Sequence, residues 1–174
     1  MFRTIFIFLS LLTYSLAHPH TFIDVYPKVS HSANQITTIH FSWKFDVMIS
    51  EMYIMEFDEN DDGKLDAKEN QYIKKSYFDT MRDFSFYTHI RIKKEPIITK
   101  ASNFKASIDS NKRVVYQFDI EINANKSDIE MDFYDEDNYV AFILKQEFVN
   151  STTPFQVSTP DGDYIYKHRL QFKP

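Results

Sequence analysis

The chain has 174 residues, with 20 Lys+Arg against 25 Asp+Glu, no Cys, two Gly and a formal charge of −5. That length fits one domain, and 43% apolar with 26% charged residues is globular composition rather than disorder. The absence of Cys excludes disulfides, thiolate chemistry and cysteine zinc sites. Gly63 and Gly162 alone cannot build a glycine-rich phosphate loop, and the acidic balance argues against nucleic acid.

Residues 1–17 read as a secretory signal peptide. Arg3 supplies the positive start, Ile5 to Leu12 the apolar run, and Ser15-Leu16-Ala17 the small-x-small cleavage pattern. The run is well short of the roughly 20 residues that span a bilayer. No later segment is apolar enough to span one, so no integral membrane segment is expected. Residues 18–174 are expected to form a single β-rich domain with a helix-loop-helix insertion at about 48–84. An exported chain without Cys fits a periplasm.

Cleavage after Ala17 would place a free amine on His18, with His20 two residues on. The His18 amine and ring with the His20 imidazole offer nitrogen ligands suited to Ni, Co, Zn or Cu. Pro19 lacks the amide N–H that the common amino-terminal copper motif uses, so that mode is blocked. The remaining arrangement resembles the histidine brace of lytic polysaccharide monooxygenases. His89 is a weak candidate for a third ligand, and His40, Asp46 and Asp135 are others.

Further along, Ile39, Phe41, Trp43 and Phe45 alternate with His40, Ser42, Lys44 and Asp46. This period of two predicts a strand with one buried and one wet face. Met48 to Phe57 and Ala67 to about Phe84 read as helices, the second with an apolar stripe of Ile73, Tyr77, Met81 and Phe84. Strand alternation returns at Val114, Tyr116, Phe118, Ile120 and Ile122, and at Ile129, Met131 and Phe133. The fold class expected is mainly β, a β-sandwich or partly open barrel, α+β overall once the insertion is counted. His31 and His168 are expected to be exposed, and Asp161-Gly162-Asp163 to be a hairpin turn.

Between the helices lies the strongest motif, Asp58 to Glu69. Asp58, Asn60 and Asp62 occupy positions one, three and five of a twelve-residue EF-hand loop. Gly63 stands at the sharp turn, Lys64 offers its backbone carbonyl at seven, Asp66 stands at nine and Glu69 at twelve. A hard cation wants six to eight oxygens, which this set supplies, so the expected ion is calcium. Asp66 and Glu69 also form a capping box that starts the exit helix.

His18-Pro19-His20-Thr21-Phe22-Ile23-Asp24, Phe41-Ser42-Trp43-Lys44-Phe45-Asp46, the acidic loop, Tyr87-Thr88-His89-Ile90 and Tyr139-Val140-Ala141-Phe142 follow one another in a specific order. In this order they resemble the bacterial family called domain of unknown function 1007, described as a periplasmic component of an uncharacterised ABC-type transport system. The similarity covers essentially the whole chain after the signal peptide. Members often occur beside nickel/cobalt permease genes, which implies metal trafficking. The resulting expectation is an exported periplasmic metal-binding protein with calcium in the loop. It would serve a transition-metal transport system through an inner-membrane metal permease or ABC transporter. The alternative is a calcium-stabilised structural or interaction module. No enzyme activity is expected, the remaining option being a copper oxidase built on the terminal brace.

Overall fold

The computed structural model describes residues 20–137, 139–160 and 166–173. The expected signal peptide, His18 and the expected turn at Asp161-Gly162-Asp163 lie outside them. Among the described residues, ten strands form two five-stranded sheets. The first has the order β5(Ala101–Ile108), β6(Val114–Asn125), β2(Gln35–Phe45), β1(Thr21–Ser32), β8(Val140–Ile143). The second has the order β4(Glu95–Pro96), β3(Thr88–Ile92), β7(Ile129–Phe133), β10(His168–Phe172), β9(Phe155–Ser158). This is the mainly β architecture that the alternation predicts.

One apolar core lies between the sheets. Ile39, Phe41, Trp43 and Phe45 of β2 and Val114, Tyr116, Phe118 and Ile120 of β6 all turn inward. Phe41 packs at 5.3 Å from Phe118 in its own sheet and edge-on at 5.9 Å from Phe133 of the opposite sheet. Offset and edge-on aromatic pairs of this kind add to the area they bury. β1 is flanked on both sides, antiparallel to β2 and parallel to β8.

Two helices follow β2: α1(Val47–Phe57) and α2(Ala67–Ile73). Asp46 caps α1, accepting the Ile49 N–H at 3.0 Å. Each helix is tied to the first sheet by one polar side chain. The fully buried Ser50 accepts the Val114 N–H at 3.0 Å, and Asn70 accepts the Ala106 N–H at 2.6 Å. Among the described residues, no helix is long and apolar enough to cross a membrane.

The second helix departs from the expected stripe. After Ile73 the chain passes through a π-turn, Lys74–Phe78, and then a 3₁₀ segment, Asp79–Tyr87. The buried pair is Ile73 and Phe78, five residues apart, which a π-turn and not an α-turn places on one face. Tyr77 is only partly buried, and Phe84 leaves helical geometry with half its surface exposed. Ser85, Phe86 and Tyr87 all have positive φ, a conformation costly for residues with a Cβ. Phe86, buried at 5.0 Å from Phe78, secures this turn into β3.

One further expectation is corrected. His168 is not exposed: it stands opposite Phe133 on the core side of β10, with a buried Nδ1. Asp132, between the inward residues of β7, faces outward yet is buried. It is fully covered by Arg91, Arg169 and Lys167.

Candidate metal centre in the helix-loop-helix

Asp58 ends α1, its N–H donating to the Ile54 carbonyl. Its carboxylate then accepts the Asp62 N–H at 3.1 Å and the Gly63 N–H at 2.8 Å, folding the loop back over the helix end. Asn60 accepts the Asp62 N–H at 3.0 Å, and Asp62 accepts the Lys64 N–H at 2.9 Å. Gly63 has φ +76°, a left-handed turn that suits glycine, and Asp61 at +54° precedes it. Asp66 accepts the Glu69 N–H at 2.9 Å while Glu69 accepts the Asp66 N–H at 2.7 Å, the capping box read from the sequence. The other Glu69 oxygen accepts the Glu59 N–H at 2.9 Å, closing the loop from end to end.

The two ends of the loop are also its buried part. Asp58 is 8% exposed and Glu69 4%. Burying a carboxylate is costly unless it is paired or well hydrogen-bonded. Amides supply the bonds seen here, and among the described residues neither carboxylate has an ion-pair partner. The nearby Lys68 is spent on Glu59 at 2.7 Å. The donor set is oxygen throughout, the type a hard divalent cation prefers. Among the described residues, no three His, Asp or Glu side chains stand gathered closely enough to hold a metal. Cation binding in the loop therefore requires its side chains to draw closer together around the ion.

The histidines are spread over both sheets. His20 is exposed at the start of β1, its N–H on the Tyr139 carbonyl and its ring 6.3 Å from the Tyr139 ring. His89 lies on β3 of the other sheet, stacked on Tyr134 at 4.0 Å. Its Nε2 is buried with no hydrogen-bond partner among the described residues, and burial lowers its pKa. Asp46 and Asp135, weighed as further ligands, are engaged with backbone. Asp46 caps α1 and takes the Phe22 N–H at 2.9 Å. Asp135 accepts from Asp137, Tyr139 and Val140, and burial, helped by the charges of Asp135 and Asp137, pushes the Tyr87 phenol up to about 12. His40 bonds to Ser30 and Asp119.

Residues 3–169 match the family described as "Protein of unknown function (DUF1007)". The chain belongs to this family. All the blocks that carry the resemblance, from His18 to Phe142, fall inside the matched span. The chain is also similar to an "Uncharacterized 15.5 kDa protein in trpE 3'region" of Spirochaeta aurantia. That relative is 27% identical over 113 residues, 63% of this chain and 76% of the relative. No solved structure matches.

Reading by sequence missed a charged cluster on the outer face of the second sheet. Asp132 accepts from Arg169 Nε at 2.6 Å, Arg91 Nη2 at 2.6 Å and Lys167 Nζ at 3.1 Å. Glu130 adds ion pairs to both arginines. Burial alone would raise the Asp132 pKa, but the hydrogen bonds from Arg169, Arg91 and Lys167 overcome it and hold the value at about 2. The period-two pattern marks Asp132 as outward-facing. Nothing local marks it as buried, because its cover comes from β3 and β10.

Proposed function

We propose that this protein is an exported calcium-binding protein whose loop, Asp58 to Glu69, takes one ion. What supports the reading is that Asp58 and Glu69, at the two ends of a twelve-residue oxygen-rich loop, are both buried with no cationic side chain among the described residues to balance them. The ion would draw on Asp58, Asn60, Asp62, Asp66 and Glu69, with the Lys64 carbonyl. It would supply positive charge and no redox chemistry. Ser50 and Asn70 couple both flanking helices to the first sheet, so order gained in the loop would be felt in the sandwich. That favours a structural role over a switch.

The same reading extends to a periplasmic accessory of transition-metal transport, with a permease or ABC transporter as partner. His18 and His20 would take Ni, Co, Zn or Cu at the processed terminus. Support for this part comes from the residues themselves: two imidazoles and an amine at the expected cleavage point, the second held at the head of β1 by Tyr139.

Calorimetry with calcium tests the core of the proposal. One site should titrate, with affinity on the order of 10⁻⁴ M, as in extracellular modules. Glu69→Gln should abolish the heat while preserving the circular dichroism spectrum. Equal binding by wild type and variant would place the ion elsewhere.

A further inference from the structure

The outer face of the first sheet carries a second, independent constellation. Ser30 Oγ lies 3.0 Å from His40 Nε2, and His40 Nδ1 lies 2.6 Å from Asp119 Oδ1. A carboxylate only accepts, so in the neutral ring Nδ1 carries the proton and Nε2 is left as the acceptor for the Ser30 hydroxyl. The second Asp119 oxygen is fixed by Asn103 Nδ2 at 2.8 Å. We propose that Ser30, His40 and Asp119 form a nucleophilic relay that cleaves small acyl esters.

Backbone irregularities aim this set. The β1–β2 register shifts between Ser30 and His31, next to the nucleophile. The β5–β6 register shifts between Ser102 and Lys105, with Asn103 at φ +53°. Bulges re-aim side chains, and left-handed backbone at a non-glycine residue is tolerated where the surroundings impose it. His40 is 43% exposed along its side chain, so substrate can reach it. His40 and Asp119 line an open cleft of about 530 Å³. One wall is the Tyr26–Phe148 pair, stacked at 4.3 Å, which suits an aromatic alcohol group. Lys28, opposite His40 in the β1–β2 register, and Asn150 also line the cleft. The proposed relay assigns this cation and this carboxamide to a carbonyl oxygen turning anionic.

The chemistry balances with water as the sole co-reactant. Ser30 Oγ attacks the ester carbonyl carbon as its proton passes to His40 Nε2. The carbonyl–oxygen bond to the alcohol breaks, and the alcohol leaves with that proton. Water, deprotonated by His40, then attacks the acyl-serine, releasing the carboxylic acid and returning the proton to Ser30. Asp119 and Asn103 are positioning residues that hold the imidazole.

The test uses the full mature protein with chelator present, so that its outcome is separate from the calcium reading. An aryl fluorophosphonate should give one adduct, mapped by mass spectrometry to the peptide bearing Ser30. p-Nitrophenyl acetate should show saturable turnover, lost in Ser30→Ala and reduced on the order of 10²-fold in His40→Gln. Asp119→Asn and Asn103→Ala should lower kcat with KM and Tm unchanged, which a merely structural role would not produce. An adduct on any other residue, no adduct, or Ser30→Ala turnover equal to wild type would overturn the relay and leave a cross-strand polar ladder.

Discussion

Asn70 Oδ1 accepts the Ala106 N–H at 2.6 Å, so one carboxamide on the exit helix of the acidic loop completes the backbone bonding of strand β5. The same side chain donates from Nδ2 to the Leu65 and Asp66 carbonyls at 3.0 Å. A single residue thus joins the end of the loop, the first turn of α2 and the sheet. Removing it leaves the amide of the buried Ala106 unpaired.

Asn70→Ala should therefore cost about 1–3 kcal/mol, the penalty for a buried donor left without its acceptor. Ser50→Ala, which strips the Val114 amide in the same way, should cost a similar amount. Urea unfolding with circular dichroism measures both. A cost near zero in either variant would mean that its helix is held by apolar packing alone.

Asp132 should dominate acid unfolding. Its carboxyl titrates near 3.9 in an unfolded chain and at about 2 in the fold. A depressed folded value gives stability that is complete above pH 4 and is lost as pH falls through 4 toward 2. Asp132→Ala should cost about 3–5 kcal/mol at neutral pH, because Lys167 loses its carboxylate and Arg91 and Arg169 are left to share Glu130. Asp132→Asn should flatten the stability curve between pH 4 and 2. A curve as steep as wild type would assign that slope to other carboxylates.

His168 should act in a higher window. Burial lowers its pKa from the ordinary value, against a backbone bond to Leu144 that raises it. Below about 6.5 the unfolded chain takes up a proton that the fold resists. Stability should be full above that pH and should decline as pH falls through it. In chelator, the urea midpoint of wild type should drop between pH 7.5 and 5.5, and His168→Gln should drop less. Parallel declines would exclude His168 as a cause.

The terminal nitrogen site makes a prediction about processing. Chain beginning at His18 should bind Ni or Cu more tightly than chain beginning Met-Ala-His18, because a terminal amine is a ligand only when free. His18→Ala should weaken binding more than His20→Ala, and binding should weaken with falling pH because protons compete with the metal for nitrogen ligands. Equal affinity of the two forms would remove the amine from the ligand set.

What was legible in the residues follows from range. Strands β2, β6 and β7 were legible because each has one dry and one wet face, and the loop because its ligands are contiguous. The second helix misled at Tyr77 because a π-turn moves the buried position to Phe78, and no local propensity announces an inserted residue. His40 read as a strand residue on the polar face, which it is. Its partner Asp119 lies 79 residues away, and register, which sequence alone does not display, brings them together. Asp132 was hidden for the same reason, its cover arriving from Arg91 and Arg169 on two other strands.

The parallel pairing of β1 with β8 also sets an order of events. Thr21 faces Val140, and the His20 and Thr21 amides both bond the Tyr139 carbonyl, so β1 waits for residues 139–143 before its second edge is closed. A contact spanning about 120 residues of a chain pays a large loop-closure entropy, which slows barrier crossing relative to a helical protein of equal size. Until then the β1 edge presents unpaired amides and carbonyls, an invitation to intermolecular pairing. Chain ending before residue 139 should therefore aggregate rather than fold, and refolding of the whole should be limited by the capture of β8.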